Sequence, residues 1–535
     1  MFTNASYPFT SKRNVLYAKN GMVATSEPHA AQAGLDILKK GGNAVDAAIC
    51  TAACLTVVEP TSNGIGGDCF AIVWMKESLY GLNASGHSPA SISIERVKAL
   101  GHDVMPRFGL TPVMVPGAPK GWAELSKRFG ALPFEDVIAP AITLAKEGFA
   151  ISETVAQSWK NAYTIYKKHL KDDVFQSWFD TFIKEDKAPE PGDIITLKDH
   201  AKTLELIANT HADAFYKGEI ADKIDAFSSA NNGFIRATDL ANYSVDFVTP
   251  ISVNYRGYDI WELPPNNQGL IALEALNVLK HLDFTETNTS ESMHKQIEAT
   301  KLAFANGLDY ITDPKHIAYD PSHYLSNAYA KIQLSRIKNH AIKPTALNPA
   351  QSGTVYLATA DKDGNMVSMI QSNYMGFGSG IVIPNTGIAM QNRGHTFSLD
   401  PNHANHLAPN KKTYHTIIPG FITKARKAIG PFGVMGGFMQ PQGHVQVIMN
   451  MIDFKMNPQA ALDAPRWQWI KDKTIHIEDT MDKKIITDLV YKGHHVSILS
   501  NYSSFGRGQI IIRDHDKKTY IGGTEKRADG TIAIW

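Results

Sequence analysis

Residues 350–374 read AQSGTVYLATADKDGNMVSMIQSNY. Two β-rich runs, 354–361 and 366–372, flank the acidic turn DKDGN, and this pattern predicts an antiparallel hairpin. Asp361, Asp363 and Asn365 imitate the start of a calcium loop. The glycine, however, comes at the fourth loop position rather than the sixth, and Ser372 stands where a bidentate glutamate belongs. The segment just before the hairpin, 341–353, is AIKPTALNPAQSG, with two prolines and many small residues. That is the composition of an exposed, cleavable loop. The junction of such a loop with a strand puts Thr354 in a particular position. A threonine hydroxyl is a poor nucleophile without a base within reach. If the chain were cut between Gly353 and Thr354, the new α-amine, with an ordinary pKa of about 7.7–8, would be that base. Read alone, a threonine opening a strand is an ordinary β-residue. Ser372, eighteen positions on, faces it across the predicted hairpin, where its hydroxyl could touch the nucleophile.

Working outward, residues 26–59 predict two helices. The first is capped at Ser26–Glu27 and ends at Gly41–Gly42; the second is capped by Asn43 and is apolar nearly all round, hence buried. Gly64, Gly66 and Gly67 then precede a strand. They fail as a dinucleotide fingerprint, which follows a strand and opens a helix, and read as a turn packed closely on another backbone. Residues 117–240 are largely helical. A strand pair turns at Arg256–Gly257, and two helices follow. After 354 the chain turns β-rich, with strands expected at GIVIP, GIAMQN, 443–454 (GHVQVIMNMIDF) and 508–514, and a short helix in 457–467. Helices first and strands clustered later predict a layered α+β fold.

The 535 residues carry a net charge of +1, which offers no electrostatic footprint for nucleic acid or an anionic membrane. No run is long and apolar enough for a membrane span. The N-terminus lacks the apolar core of a signal peptide, so the expected compartment is cytoplasmic. Cys50, Cys54 and Cys69 are an odd set with no further ligands at zinc spacing, and read as small buried hydrophobes. His403 and His406, in DPNHANHLAP, read as a solvated loop rather than metal ligands. No metal and no cofactor are expected. Paired glycines at 436–437, ahead of an expected strand, are candidates for an oxyanion hole. Thr416, in YHTIIPGF, offers a hydroxyl to orient a substrate.

These elements, in this order, resemble the γ-glutamyltransferase family of N-terminal nucleophile hydrolases. The motifs are GGNAVDAA, NGIGGD, PPNNQG, GTVYLATADKDGN, FGSGI, MGG, QPQGHVQV and FGRGQ, and they span nearly the whole chain. The resemblance implies a four-layer αββα sandwich. It also implies a precursor that cuts itself into a large chain, 1–353, and a small chain, 354–535, which remain partners in one intertwined catalytic domain. Thr354 would be the nucleophile, Ser372 the second hydroxyl, Gly436 and Gly437 the oxyanion pair, and Thr416 the hydroxyl near a substrate carboxylate. The activity implied is hydrolysis or transfer of a γ-glutamyl or similar small amide, as in glutathione hydrolases. Cephalosporin (glutaryl) acylases and oxamate-type amidohydrolases are the alternative, and an unprocessed inactive scaffold is the non-enzymatic one. Two departures matter. Ser85, in ASGHSP, stands where the γ-glutamyl enzymes place an arginine, and Thr396, in QNRGHTF, stands where they place an acid. Arg393, following Asn392 in the expected pocket wall, either pairs with a substrate carboxylate from the other side or serves a structural ion pair. A homo-oligomer stays open.

Overall fold

The computed structural model describes residues 12–284, 286, 289–317, 320–344 and 353–535. The quoted stretch forms the expected hairpin, with strand Gly353–Ala360 antiparallel to strand Met366–Tyr374. Strand Met22–Thr25 flanks the first of these and Asp68–Met75 the second. The hairpin therefore lies inside a seven-stranded antiparallel sheet. A strand with both faces covered is apolar on both, and all of 354–360 and 366–374 is buried.

The alternation of side chains along this hairpin generates the layers. Val355, Leu357, Val367 and Met369 point into a core shared with the helices Pro28–Lys39 and Ala44–Val58. Tyr356, Ala358, Ala360, Met366 and Ile370 point the other way, against Phe421, Ala428 and Ile511 of a second seven-stranded antiparallel sheet. The far face of that second sheet, through Ile422, Phe432, Val434 and Ile510, packs on the helices Gly269–Leu279, Ser290–Tyr310 and Met439–Ile452. The result is helix, sheet, sheet, helix: the four-layer α+β sandwich. Asn43 caps its helix as expected, closing a capping box with Asp46. All three cysteines are buried and free. Most of the linker ahead of Thr354, residues 345–352, lies outside the described residues.

One expected strand is a helix. Residues 443–454 belong largely to the helix Met439–Ile452. Its first eleven residues, 439–449, are all buried, so it lacks the polar face that marks an amphipathic helix. A short β-branched apolar run of this kind cannot be told from a buried strand by periodicity alone. GIVIP and GIAMQN contribute only the two-residue strands Val382–Ile383 and Ile388–Ala389.

A buried charge network fixes the loop beside the paired glycines. Arg466 Nη1 donates to the carbonyls of Phe505 and Gly506 at 2.9 and 2.8 Å, and its Nη2 reaches Glu525 at 2.8 Å. Arg527 bridges Glu525 at 2.7 Å and Glu478 at 2.7 Å. Gly506 in turn lies where a Cβ on Gly436 would come to 3.1 Å from its Cα. Burial works to raise the Glu525 pKa, but Arg466 and Arg527 outweigh it and hold the carboxyl down at about 2. A carboxylate with a depressed folded-state pKa contributes stability above its unfolded pKa, and that contribution is lost as pH falls toward the folded value. Glu525→Gln should therefore cost about 3–5 kcal/mol at neutral pH, as expected for removing one partner of a buried pair. In thermal melts, the gap between wild type and variant should close between pH ~4.5 and ~2.

Candidate active site

Gly353 pairs with Tyr374 and Val355 with Gln371, so Ser372 and Asn373 together oppose Thr354. This is a β-bulge, and bulges re-aim side chains. The Thr354 hydroxyl lies 2.7 Å from the carbonyl oxygen of its own predecessor, Gly353, and 3.2 Å from Ser372 Oγ. Ser372 Oγ donates to the same carbonyl at 2.6 Å and accepts from Tyr374 N–H at 2.7 Å. The two hydroxyls thus converge on the Gly353 carbonyl, the group that an attack by Thr354 would convert to an oxyanion. A side chain at 353 would crowd this point, because a Cβ there meets Gly376 N, Ser62 Cα and Thr61 O, each at 3.1 Å. Thr354 is fully buried.

Gly436 and Gly437 do not precede a strand, as the sequence suggested. They turn the chain from strand Lys427–Met435 into the helix Met439–Ile452. Their φ values of +133° and +59° suit glycine. Both carbonyls accept within the first helical turn, from Met439 N–H and Gln440 N–H. Neither N–H donates to a described protein acceptor. Free N–H groups at a helix N-terminus favour developing negative charge, which suits an oxyanion hole better than the strand placement did.

Gln268, from the PPNNQG motif, ties these glycines to Thr416. Its Nε2 donates to Gly437 O at 2.9 Å and also to Thr416 O, while Tyr414 OH holds its Oε1 at 2.7 Å. Thr416 Oγ1 accepts from Arg393 Nη1 at 2.8 Å. The Arg393 guanidinium stacks 4.2 Å from the ring centroid of Tyr374, at the end of the bulge. A continuous set of contacts therefore joins Gly437, Thr416, Arg393, Tyr374, Ser372 and Thr354.

Arg393 makes no direct ion pair among the described residues; its Nε and Nη2 are buried without a protein partner. Burial lowers its pKa to about 10, with Asp68 opposing, so it stays cationic at neutral pH. The hydrogen bonds of the other predicted binding residues are spent inside the protein. Ser85 Oγ donates to Asn83 at 2.7 Å and lies 3.3 Å from Asn266 Nδ2. Asn392 accepts from Met375 N–H and donates to Arg107 O. Thr396 Oγ1 lies 2.8 Å from both Arg393 O and Thr413 Oγ1.

Sequence reasoning did not single out Asp68, Gln268, Gln391 or His415 as site residues. Asp68 is buried and takes hydrogen bonds from Gly86 N–H, Gln391 Nε2 and His415 Nε2, each at 3.0 Å. Burial pushes its pKa up to about 6, against Arg393 and its donors. His415 is held neutral, first by burial and then by Arg393. Their only advance signal was membership in the quoted motifs NGIGGD, PPNNQG, QNRGHTF and YHTIIPGF. The flanking Gly66 and Gly67 do pack closely, as expected: a Cβ on either would strike Ala389 O at 2.3 Å or Ser372 O at 2.6 Å.

As for metals, His294, Glu298 and His494 bring ligand-type atoms within 4.8 Å of one another. Glu298 is already paired with Lys301 at 2.8 Å, and the two imidazoles bond each other at 2.8 Å. The group ties Lys338 O and Ile342 N–H to the helix Ser290–Tyr310. His403 and His406 are engaged within their own loop. No described helix is long and apolar enough to cross a membrane.

Residues 30–535 match the family model described as gamma-glutamyltranspeptidase. The chain is 35% identical to the glutathione hydrolase-like YwrD proenzyme of Bacillus subtilis, over 95% of this chain and 97% of that one. It is 30% identical to the oxamate amidohydrolase proenzyme of Klebsiella pneumoniae, over 96% and 98%. A crystal structure of cephalosporin acylase from Bacillus halodurans superposes with a TM-score of 0.97 at 56% identity, covering 100% of this chain and 99% of that one. Together with the four-layer fold and the site geometry, these matches establish that the chain belongs to the gamma-glutamyltranspeptidase family of amide-cleaving enzymes.

Proposed function

We propose that the protein cuts itself between Gly353 and Thr354, and that the freed Thr354 then hydrolyses amides whose acyl group ends in a carboxylate. The reading belongs with the glutaryl acylases and oxamate-type amidohydrolases rather than with γ-glutamyl transfer. One observation carries it: Arg393, a buried cation with two unpartnered N–H groups, stands beside the residues expected to react. A carboxylate is the group that a guanidinium fork satisfies in two bonds. γ-Glutamyl recognition would need a cation near Ser85 and an acid near Thr396, and neither position carries a charge. The similarity to an oxamate amidohydrolase and to a cephalosporin acylase supports the same choice.

In the first step, Thr354 Oγ attacks the Gly353 carbonyl carbon and Ser372 stabilises the oxyanion. The C–N bond breaks, the amine takes the hydroxyl proton, and an ester links Gly353 to Thr354. Water cleaves that ester, leaving large chain 1–353 with a new carboxylate and small chain 354–535 with a free α-amine. In the second reaction this amine takes the Thr354 hydroxyl proton, and Oγ attacks the substrate amide. Gly436 and Gly437 N–H groups receive the oxyanion, the Thr354 α-ammonium passes its proton to the substrate nitrogen as the C–N bond breaks and the substrate amine leaves, and water then cleaves the acyl ester to release the acid.

Four outcomes test this. On a denaturing gel the 58.7 kDa chain should resolve into two unequal bands, the smaller with threonine at its N-terminus. Thr354→Ala should stay at full length with no turnover; scission at the same bond in that variant would overturn the assignment. Ser372→Ala should slow self-cleavage by about 10²–10³-fold, the usual cost of one oxyanion donor, and should slow turnover of the matured enzyme less. In an amide panel, Arg393→Ala should raise KM for acid-bearing acyl groups by about 10–100-fold, the worth of one or two charge-assisted hydrogen bonds. An unchanged KM for every acidic amide would remove Arg393 from the reading.

A further inference from the structure

Two of the contacts that hold Arg393 lead to one carboxylate. Its backbone N–H donates to Gln391 Oε1 at 3.0 Å, and the Nε2 of that same amide donates to Asp68 Oδ2 at 3.0 Å. Its guanidinium donates to Thr416 Oγ1, and the adjacent His415 donates through Nε2 to Asp68 Oδ2 at 3.0 Å. The imidazole tautomer is set by its other nitrogen, which accepts from Ile417 N–H at 3.4 Å. Asp68 Oδ1 takes Gly86 N–H, next to Ser85. The segments 391–393 and 415–416 share no strand pairing; besides the direct Arg393–Thr416 bond, Asp68 is the shared acceptor that ties both to the strand Asp68–Met75. Asp68 itself opens the strand Asp68–Met75 directly opposite Ser372, which refers the Arg393 pocket to the reacting hydroxyls.

We propose that Asp68 is a positioning residue for substrate selection: through Gln391 and His415 it sets the place of Arg393, and with it the preference for acyl groups bearing a carboxylate. This rests on the reading that Arg393 receives that carboxylate. Asp68 does not touch the substrate, because both of its oxygens are engaged by three protein donors.

Asp68→Ala makes the proposal testable: it leaves the strand backbone in place and takes away the acceptor that Gln391 Nε2, His415 Nε2 and the Gly86 N–H share. Both links to Arg393 are then lost. Gln391→Ala breaks only the link to the Arg393 backbone and leaves the Gly86 and His415 bonds in place.

The assay uses matured enzyme with glutaryl 4-nitroanilide and its neutral terminal-amide analogue. Both variants should raise KM for the glutaryl compound about tenfold, with kcat for both compounds, and KM for the neutral one, changed less than threefold. Equal losses on the two compounds would overturn the proposal, as would failure of both variants to self-process; either would place Asp68 in the reacting centre or the fold at large. Arg393→Ala run in parallel separates the two levels. If that variant leaves the glutaryl KM unchanged, the reading of Arg393 fails. If it raises KM and the Asp68 and Gln391 variants do not, only the positioning role fails.

Discussion

The hydroxyls of Thr354 and Ser372 converge on the carbonyl oxygen of Gly353, and much of the architecture follows from keeping them there. Contacts of 2.6 and 2.7 Å on one oxygen demand a backbone that does not fluctuate. A central strand of a sheet buried on both faces meets that demand, and a surface loop would not. The bulge opposite Thr354 then aims the side chain without moving the strand. The same burial excludes solvent from Thr354 while the chain is intact. On the proposed reading, Thr354 reacts first with its own backbone, so the fold must be complete before the new terminus exists and folding precedes cutting.

Around this point the protein places charge sparingly. Arg393 and Asp68 are both buried within one polar cluster, yet they do not form a direct ion pair. A direct pair would satisfy both and leave nothing for a ligand. Keeping Asp68 occupied by neutral donors lowers the cost of burying Arg393 while two of its N–H groups remain free. The glycines proposed for the oxyanion hole use a different device, the N-terminus of a helix, whose donors need no side chain. Their position is braced from two sides, by Gln268 and by the Arg466–Glu525–Arg527 network behind Gly506.

Much of this was legible along the chain. The hairpin, its turn, the Asn43 cap and the alternation that builds the two cores all rest on neighbours close in sequence. Thr354 and Ser372 belong to that class too, since a hairpin brings its own two strands together. The helix Met439–Ile452 was not legible, because burial on all sides erased the polar face that would have marked it. Gln268, Gln391, Asp68 and His415 were not either. Each is a single polar residue with a partner between about 20 and 350 positions away, and the two-residue contacts of Gln391 and His415 gain meaning only through such a remote partner, which no local pattern marks.

By itself, then, the sequence determined the hairpin that carries Thr354 and Ser372 and the layered fold class, because local propensity and side-chain alternation act over a few residues; the family resemblance, not a local pattern, singled out Thr354 as the proposed nucleophile. It left Arg393 suspended between substrate contact and structural ion pair. Only the packing of the two sheets decided that its counter-charge lies near but not bonded to it. Such a distance depends on where segments remote along the chain meet in space, and no short-range rule encodes it.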